Sequence, residues 1–217
     1  MCIAVVDYTG VTEEWFQAAE SENPHGFGMA WTARTGRVIV QRSMVASWSQ
    51  YAKARKANRD RPMILHFRLA TWGPKTVSQC HPFVIRPDTA FAHNGMFPEY
   101  QKNKRMSDTQ ALAKALRGRD PKAKAVREYL DYLCKSYNKL VFLTRGQPII
   151  FGEQHGHWSK NGNWYSYREG NGPLDYGTFY CSKFDNRWES FGEEWWRKPS
   201  SVDKKTKYLL ADRWAKC

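Results

Sequence analysis

Apolar and polar positions along the chain follow two periods in turn. Residues 2–7, with Ile3, Val5 and Val6, form a short apolar run with β-branched character that predicts a buried strand almost at the terminus. Thr12 before Glu13 and Glu14 is a helix-capping pattern for residues 15–20, and Asn23-Pro24-His25-Gly26 ends that helix. Strands are predicted at residues 27–33 and 37–41, joined by a hairpin at Thr35-Gly36. A helix over 47–58 follows, and Pro62 leads into an apolar strand at 63–69. Farther on, Phe91 to His93 reads as a strand end opening into a turn. Ser107 caps a helix that carries Leu112 and Leu116 on one face. Val126, Leu130 and Leu133 give helical spacing over 123–137, and strands are predicted at 140–144 and 148–152. The Gly- and aromatic-rich stretch 156–185 predicts hairpins, with 178–182 its best strand. Groups of strands alternate with groups of helices instead of forming strict βαβ units, so the fold class is α+β with sheets packed between helices.

Bulk properties narrow this picture. At 217 residues, 41% hydrophobic and 25% charged, the chain has ordinary globular usage and suffices for one domain, read as residues 2–217. No apolar run approaches the roughly 18 residues of a membrane span. The start lacks the basic residues and long apolar stretch of a signal peptide, so a cytoplasmic, non-membrane protein is expected. Cys2, Cys80, Cys134, Cys181 and Cys217 form no CxxC pair, which argues against a zinc site or a disulfide framework and leaves free thiols. The net charge of +13 makes an anionic partner such as nucleic acid a candidate. The basic runs at 53–61, 102–105, 114–127 and 197–216 read equally well as solvated helix faces.

Candidate chemistry begins at Cys2. Removal of Met1 is favoured by the small second side chain and would leave a thiol and a free α-amine on one residue. The amine, with an ordinary pKa near 8, can serve as general base for its own side chain. The plain alternative is a small residue that starts a strand. Asn94-Gly95 could offer a side-chain amide and a backbone N–H to one point, as an oxyanion hole requires, or be a simple turn. Arg68 sits in an apolar stretch where a cation needs a partner, and it suits bidentate binding of a carboxylate. Asp108 offers the complementary charge for an ammonium group. A structural ion pair and a helix-start charge are their plain alternatives.

These residues occur in an order that resembles the class II glutamine amidotransferases. Asn23-Pro24-His25-Gly26-Phe27-Gly28 resembles that family's Asn-x-(Asp/His)-Gly-x-Gly loop, and Phe67 to Gly73 its Arg-x-Ala-Thr-x-Gly motif. His81-Pro82-Phe83 is similar to its His-Pro-Phe segment, His93-Asn94-Gly95 to its oxyanion turn, and Ser107-Asp108-Thr109 to its Ser-Asp-Thr clamp. The resemblance runs from Met1 through Leu116. It implies a four-layer αββα sandwich of the N-terminal nucleophile hydrolase type, which residues 117–217 complete before a basic tail. By position it implies Cys2 as nucleophile, Asn94 and Gly95 as oxyanion donors, and Arg68 and Asp108 as ligands of the two ends of L-glutamine, with Thr71 and His81 near the ligand. Leu69 and Trp72 depart from the family, where many members carry an aromatic residue and a His, and close relatives often have Asp at the place of His25.

The reaction so implied is hydrolysis of the glutamine side-chain amide to glutamate and ammonia through a Cys2 thioester, with neither metal nor cofactor. The last hundred or so residues contain no P-loop pattern and no GxGxxG, so the ammonia acceptor is expected to be a separate ligase or synthetase. Two other readings stay open at this point: a hydrolase of the same type acting on another amide, and a catalytically idle basic binding module on the same fold.

Overall fold

The computed structural model describes residues 2–102 and 104–167. The strand expected at 178–182 and the basic run at 197–216 lie outside the described residues.

The first strand, β1 (Ile3–Asp7), is buried along its whole length because it is covered on both faces. Its even residues, Ala4 and Val6, point toward a second sheet, while Ile3 and Val5 point toward a helical layer. The helix α1 (Glu13–Glu22) starts where expected, with Thr12 Oγ1 accepting the Trp15 N–H at 3.2 Å. The hairpin of β2 (Phe27–Thr32) and β3 (Val38–Ser43) turns at Gly36, and α2 (Trp48–Ala57) is capped by Ser47. Next comes β4 (Met63–Phe67), which pairs with both β1 and β2.

The second sheet is built from β5 (Phe83–Arg86), β6 (Thr89–Asn94), β7 (Lys139–Thr144) and β8 (Gln147–Phe151), in that spatial order. Between β6 and β7 the chain forms α3 (Asp108–Ala115) and α4 (Lys124–Leu133). Two short strands, β9 (His157–Trp158) and β10 (Trp164–Tyr165), return to the first sheet and complete the order β3-β2-β4-β1-β10-β9. Among the described residues every pairing is antiparallel.

The sheets meet over small side chains, Ala4, Ala30, Ala90 and Ala92, with Val141, Leu143 and Trp164 filling the remaining space. Trp15, Phe16 and Tyr51 seal α1 and α2 onto the first sheet's outer face, where Phe16 stacks on Tyr51 and meets Phe67 edge-on. On the outer face of the second sheet, Arg127 of α4 covers the Phe151 ring, and Thr109 of α3 reaches His93. The layers therefore run helix, sheet, sheet, helix, which is the α+β arrangement expected.

Two boundaries and the burial of one basic residue differ from the sequence reading. The helix α4 stops at Leu133 and does not run to residue 137, because the Asn138 side chain donates to the Leu133 carbonyl and fills its lost helical bond. The strand β4 stops at Phe67, because the Leu69 N–H turns to the Cys2 thiol. Arg55, grouped with the solvated basic run, is buried: it donates to the Asp7 carbonyl at 2.9 Å and lies 3.6 Å from the Asp7 carboxylate. Tyr51 completes this knot by donating to Asp7 Oδ2 at 2.8 Å. Among the described residues no helix is long and apolar enough to cross a membrane.

Candidate active site

Strand parity assembles the site. The register Ile3↔Phe67 and Ala4↔His66 sets Cys2 opposite Arg68, one step beyond the ladder. Cys2 shares the face of Ala4, and Arg68 the face of His66 and Ile64. Asn94 shares the face of Ala90 and Ala92 on the second sheet. All three therefore face the space between the sheets, at the same end.

Cys2 is half-buried. Its thiol donates to the Leu69 carbonyl at 3.4 Å and accepts the Leu69 N–H at 3.3 Å. Burial pushes the thiol's pKa above its ordinary value. The Leu69 N–H and the Arg68 charge pull it back, and the Asp108 charge adds to the rise. Both charged residues thus act on the sulfur.

Arg68 is 3% exposed, and its guanidinium donates to the carbonyls of Pro74 at 3.0 Å and Trp72 at 3.3 Å. Among the described residues it has no ion-pair partner. The loop that carries it is pinned from below: His25 N–H donates to the Arg68 carbonyl, and His25 Nδ1 accepts the Ala70 N–H at 2.9 Å. Loss of solvation lowers the pKa of His25, which keeps that ring nitrogen an acceptor. Gly73 then crosses the start of α3 so closely that a Cβ there would lie 2.7 Å from Ser107 N.

Asp108, first residue of α3, is also buried and also lacks an ion-pair partner among the described residues. Its Oδ2 accepts the Phe97 N–H at 2.8 Å, and its Oδ1 accepts the Thr109 N–H at 2.7 Å. A buried cation and a buried anion, each held by neutral groups and each felt by one thiol, can receive a small zwitterion.

Asn94 Nδ2 donates to Ser166 Oγ at 2.8 Å and to the Ser166 carbonyl at 3.1 Å, while its Oδ1 is buried without a partner. Ser166 in turn pairs with Ala4 on β1 through its backbone N–H and its Oγ. Gly95 takes φ +145°, and a Cβ there would lie 2.0 Å from Asn138 Oδ1. Thr71 is exposed on the loop after Arg68, and His81 is buried beneath the site.

His81 belongs to a group of three buried imidazoles. Its ring centre is 4.0 Å from that of His66, and its Nδ1 accepts the His93 N–H at 3.4 Å. His66 Nε2 donates to the His93 carbonyl at 3.0 Å. Burial holds His66 at about 3, His93 at about 4 and His81 well below the usual range, so all three are neutral. Sequence reasoning singled out His81 alone of the three for a role. It also passed over Asn138 and Ser166, which carry no local signal.

The sequence matches the family model for glutamine amidotransferases class-II over residues 3–112, a span that contains Arg68, Asn94, Gly95 and Asp108. Among solved structures, the chain is similar to the glutamine aminotransferase class-II domain protein from Silicibacter pomeroyi, at 15% identity and a TM-score of 0.39, over 76% of this chain and 87% of that chain. No curated protein matches.

Proposed function

The chain belongs to the class II glutamine amidotransferases, and from that premise we propose that it hydrolyses the side-chain amide of L-glutamine with Cys2 as nucleophile and releases ammonia for a separate synthetase or ligase. The observation that carries this reading is the pair Arg68 and Asp108, buried and opposite in charge, without ion-pair partners among the described residues, and both acting on the Cys2 thiol. Glutamine supplies the two missing partners: its α-carboxylate takes the Arg68 guanidinium and its α-ammonium takes the Asp108 carboxylate. A chain one methylene shorter, as in asparagine, cannot hold both ends and still reach the sulfur.

With Met1 removed, the α-amine of Cys2 takes the thiol proton, and the thiolate attacks the side-chain carbonyl carbon. Asn94 and the Gly95 N–H stabilise the oxyanion. In the resting structure the Asn94 amide donates to Ser166, so one of its N–H bonds turns from Ser166 to the developing charge. Collapse of the tetrahedral intermediate breaks the C–N bond, and the amine returns its proton to the departing ammonia. Water then cleaves the γ-glutamyl thioester, which gives glutamate and restores the thiol.

The test is incubation of the protein with glutamine, with glutamate and ammonia both measured, alongside Cys2→Ala and a mass measurement of the N-terminal residue. Equimolar products that vanish in Cys2→Ala are expected. Retained activity in that variant, or full activity with Met1 in place, overturns the mechanism. Turnover of other amides but not of glutamine would favour a different hydrolase on the same fold.

A further inference from the structure

The residue that holds the oxyanion turn lies far from it in sequence. Asn138, between α4 and β7, is 6% exposed, and both ends of its amide are hydrogen-bonded. Nδ2 donates to the Leu133 carbonyl at 3.1 Å, which fixes which end of the amide is oxygen. Oδ1 then accepts the Met96 N–H at 2.7 Å and faces His93 Nε2 at 3.3 Å. Gly95 lies directly against this oxygen, so the turn 94–96 is moulded on the Asn138 amide. The next N–H, from Phe97, goes to Asp108. Two consecutive amides thus tie the turn to Asn138 on one side and to the ammonium-binding carboxylate on the other.

The same contact sets the proton on His93. An acceptor at Nε2 requires that nitrogen to carry the hydrogen, which leaves Nδ1 with its lone pair toward Thr109 Oγ1 at 2.9 Å. The Thr109 hydroxyl also lies 3.2 Å from Asp108 Oδ1 but has one proton to give. With that proton on His93, Asp108 Oδ1 is left with the Thr109 N–H alone and keeps a lone pair for the substrate.

We infer that Asn138 is a positioning residue for glutamine hydrolysis, which holds the 94–96 turn in register for the oxyanion and locks His93 in its Nε2–H tautomer. The inference rests on the glutaminase reading for its kinetic part and on geometry alone for the tautomer. It is tested first in the unsubstituted protein by nitrogen-15 NMR of the imidazoles, with His93 assigned through His93→Gln. A proton on Nε2 is expected, and one on Nδ1 overturns the proposal without any kinetic measurement.

Second, Asn138→Ala removes the acceptor and should lower kcat for glutamine about tenfold or more, the scale of a misplaced oxyanion donor, while KM changes less than about threefold. Asn138→Asp keeps the acceptor for Met96 and His93 and should retain most of kcat and the tautomer. It should lose thermal stability, because a carboxylate oxygen then faces the Leu133 carbonyl. A folded Asn138→Ala protein with kcat within about twofold of the parent refutes the positioning role. If the parent protein turns over no glutamine at all, the glutaminase reading fails while the NMR result still decides the tautomer.

Discussion

Acid should unfold this protein through its interior histidines. His66, His81 and His93 are 0%, 4% and 2% exposed, and burial keeps each neutral, His66 down to about 3 and His93 to about 4. In the unfolded chain each titrates near 6.5. Below that pH the unfolded state binds protons that the folded state refuses, so stability that is fully present above about 6.5 is lost as the pH falls toward the folded values. From pH 7 to pH 5 one such group loses about 2 kcal/mol, and three lose about 6 kcal/mol. That equals the total stability of many domains of about 5–15 kcal/mol. Asp7 works in the opposite sense. Burial raises its carboxyl pKa, so its contribution is greatest at low pH and is lost as the pH rises through its folded value. One carboxyl offsets only part of three imidazoles. Urea unfolding at pH 7, 6 and 5 measures the effect, because the slope of stability against pH is about 1.4 kcal/mol per unit for each proton taken up. A slope of two to three protons is expected between pH 5 and 6, and His66→Gln should reduce it by about one. An uptake below one proton would refute the assignment of these rings as neutral and sealed.

Two further substitutions probe the charges. Asp108→Asn keeps the size of the side chain and removes its charge, so KM for glutamine should rise at least about thirtyfold, from the roughly 2 kcal/mol or more lost when a buried charge-assisted pair is broken; an unchanged KM in steady-state kinetics would remove Asp108 from the binding site. Arg55→Met leaves the Asp7 carboxylate buried with only neutral donors and should cost about 3–5 kcal/mol in urea unfolding, and adding Asp7→Asn should recover part of the loss.

The parts of the fold readable in the sequence were those set by neighbours along the chain. Helix starts at Thr12, Ser47 and Ser107 were legible because a capping hydroxyl acts within three residues. The strands carrying Val5, Leu65 and Val141 were legible because both of their faces are apolar. What escaped depends on tertiary partners. The end of α4 is set by Asn138, β5 is held by β6, and the two-residue strands β9 and β10 exist only because β1 offers an edge. Along the chain Arg55 is one more cation of a basic run, and only the fold sets Asp7 beneath it. At the site, Cys2, Arg68, Asn94 and Asp108 were legible as residue types in a particular order, and strand parity brings Cys2, Arg68 and Asn94 onto facing sheets. Ser166 and Asn138 were not legible, since their partners Asn94 and Met96 lie 72 and 42 residues away.

The cost of this arrangement falls on the unliganded protein. Burying Arg68 and Asp108 without ion pairs among the described residues sacrifices stability that a direct bridge between them would supply, and the fold holds them apart with carbonyls from Trp72 and Pro74 on one side and N–H groups from Phe97 and Thr109 on the other. Neutral dipoles of this kind solvate a charge without cancelling it, so each residue still attracts an opposite charge of the right size. The turn at residues 94–97 is pinned to the anion through the Phe97 N–H, and the thiol to the cation's own loop through Leu69. In the proposed reaction, a ligand that satisfies both charges therefore draws together the segments that carry Cys2 and the Asn94-Gly95 turn, and binding energy gained at its amino-acid end goes into alignment at its amide.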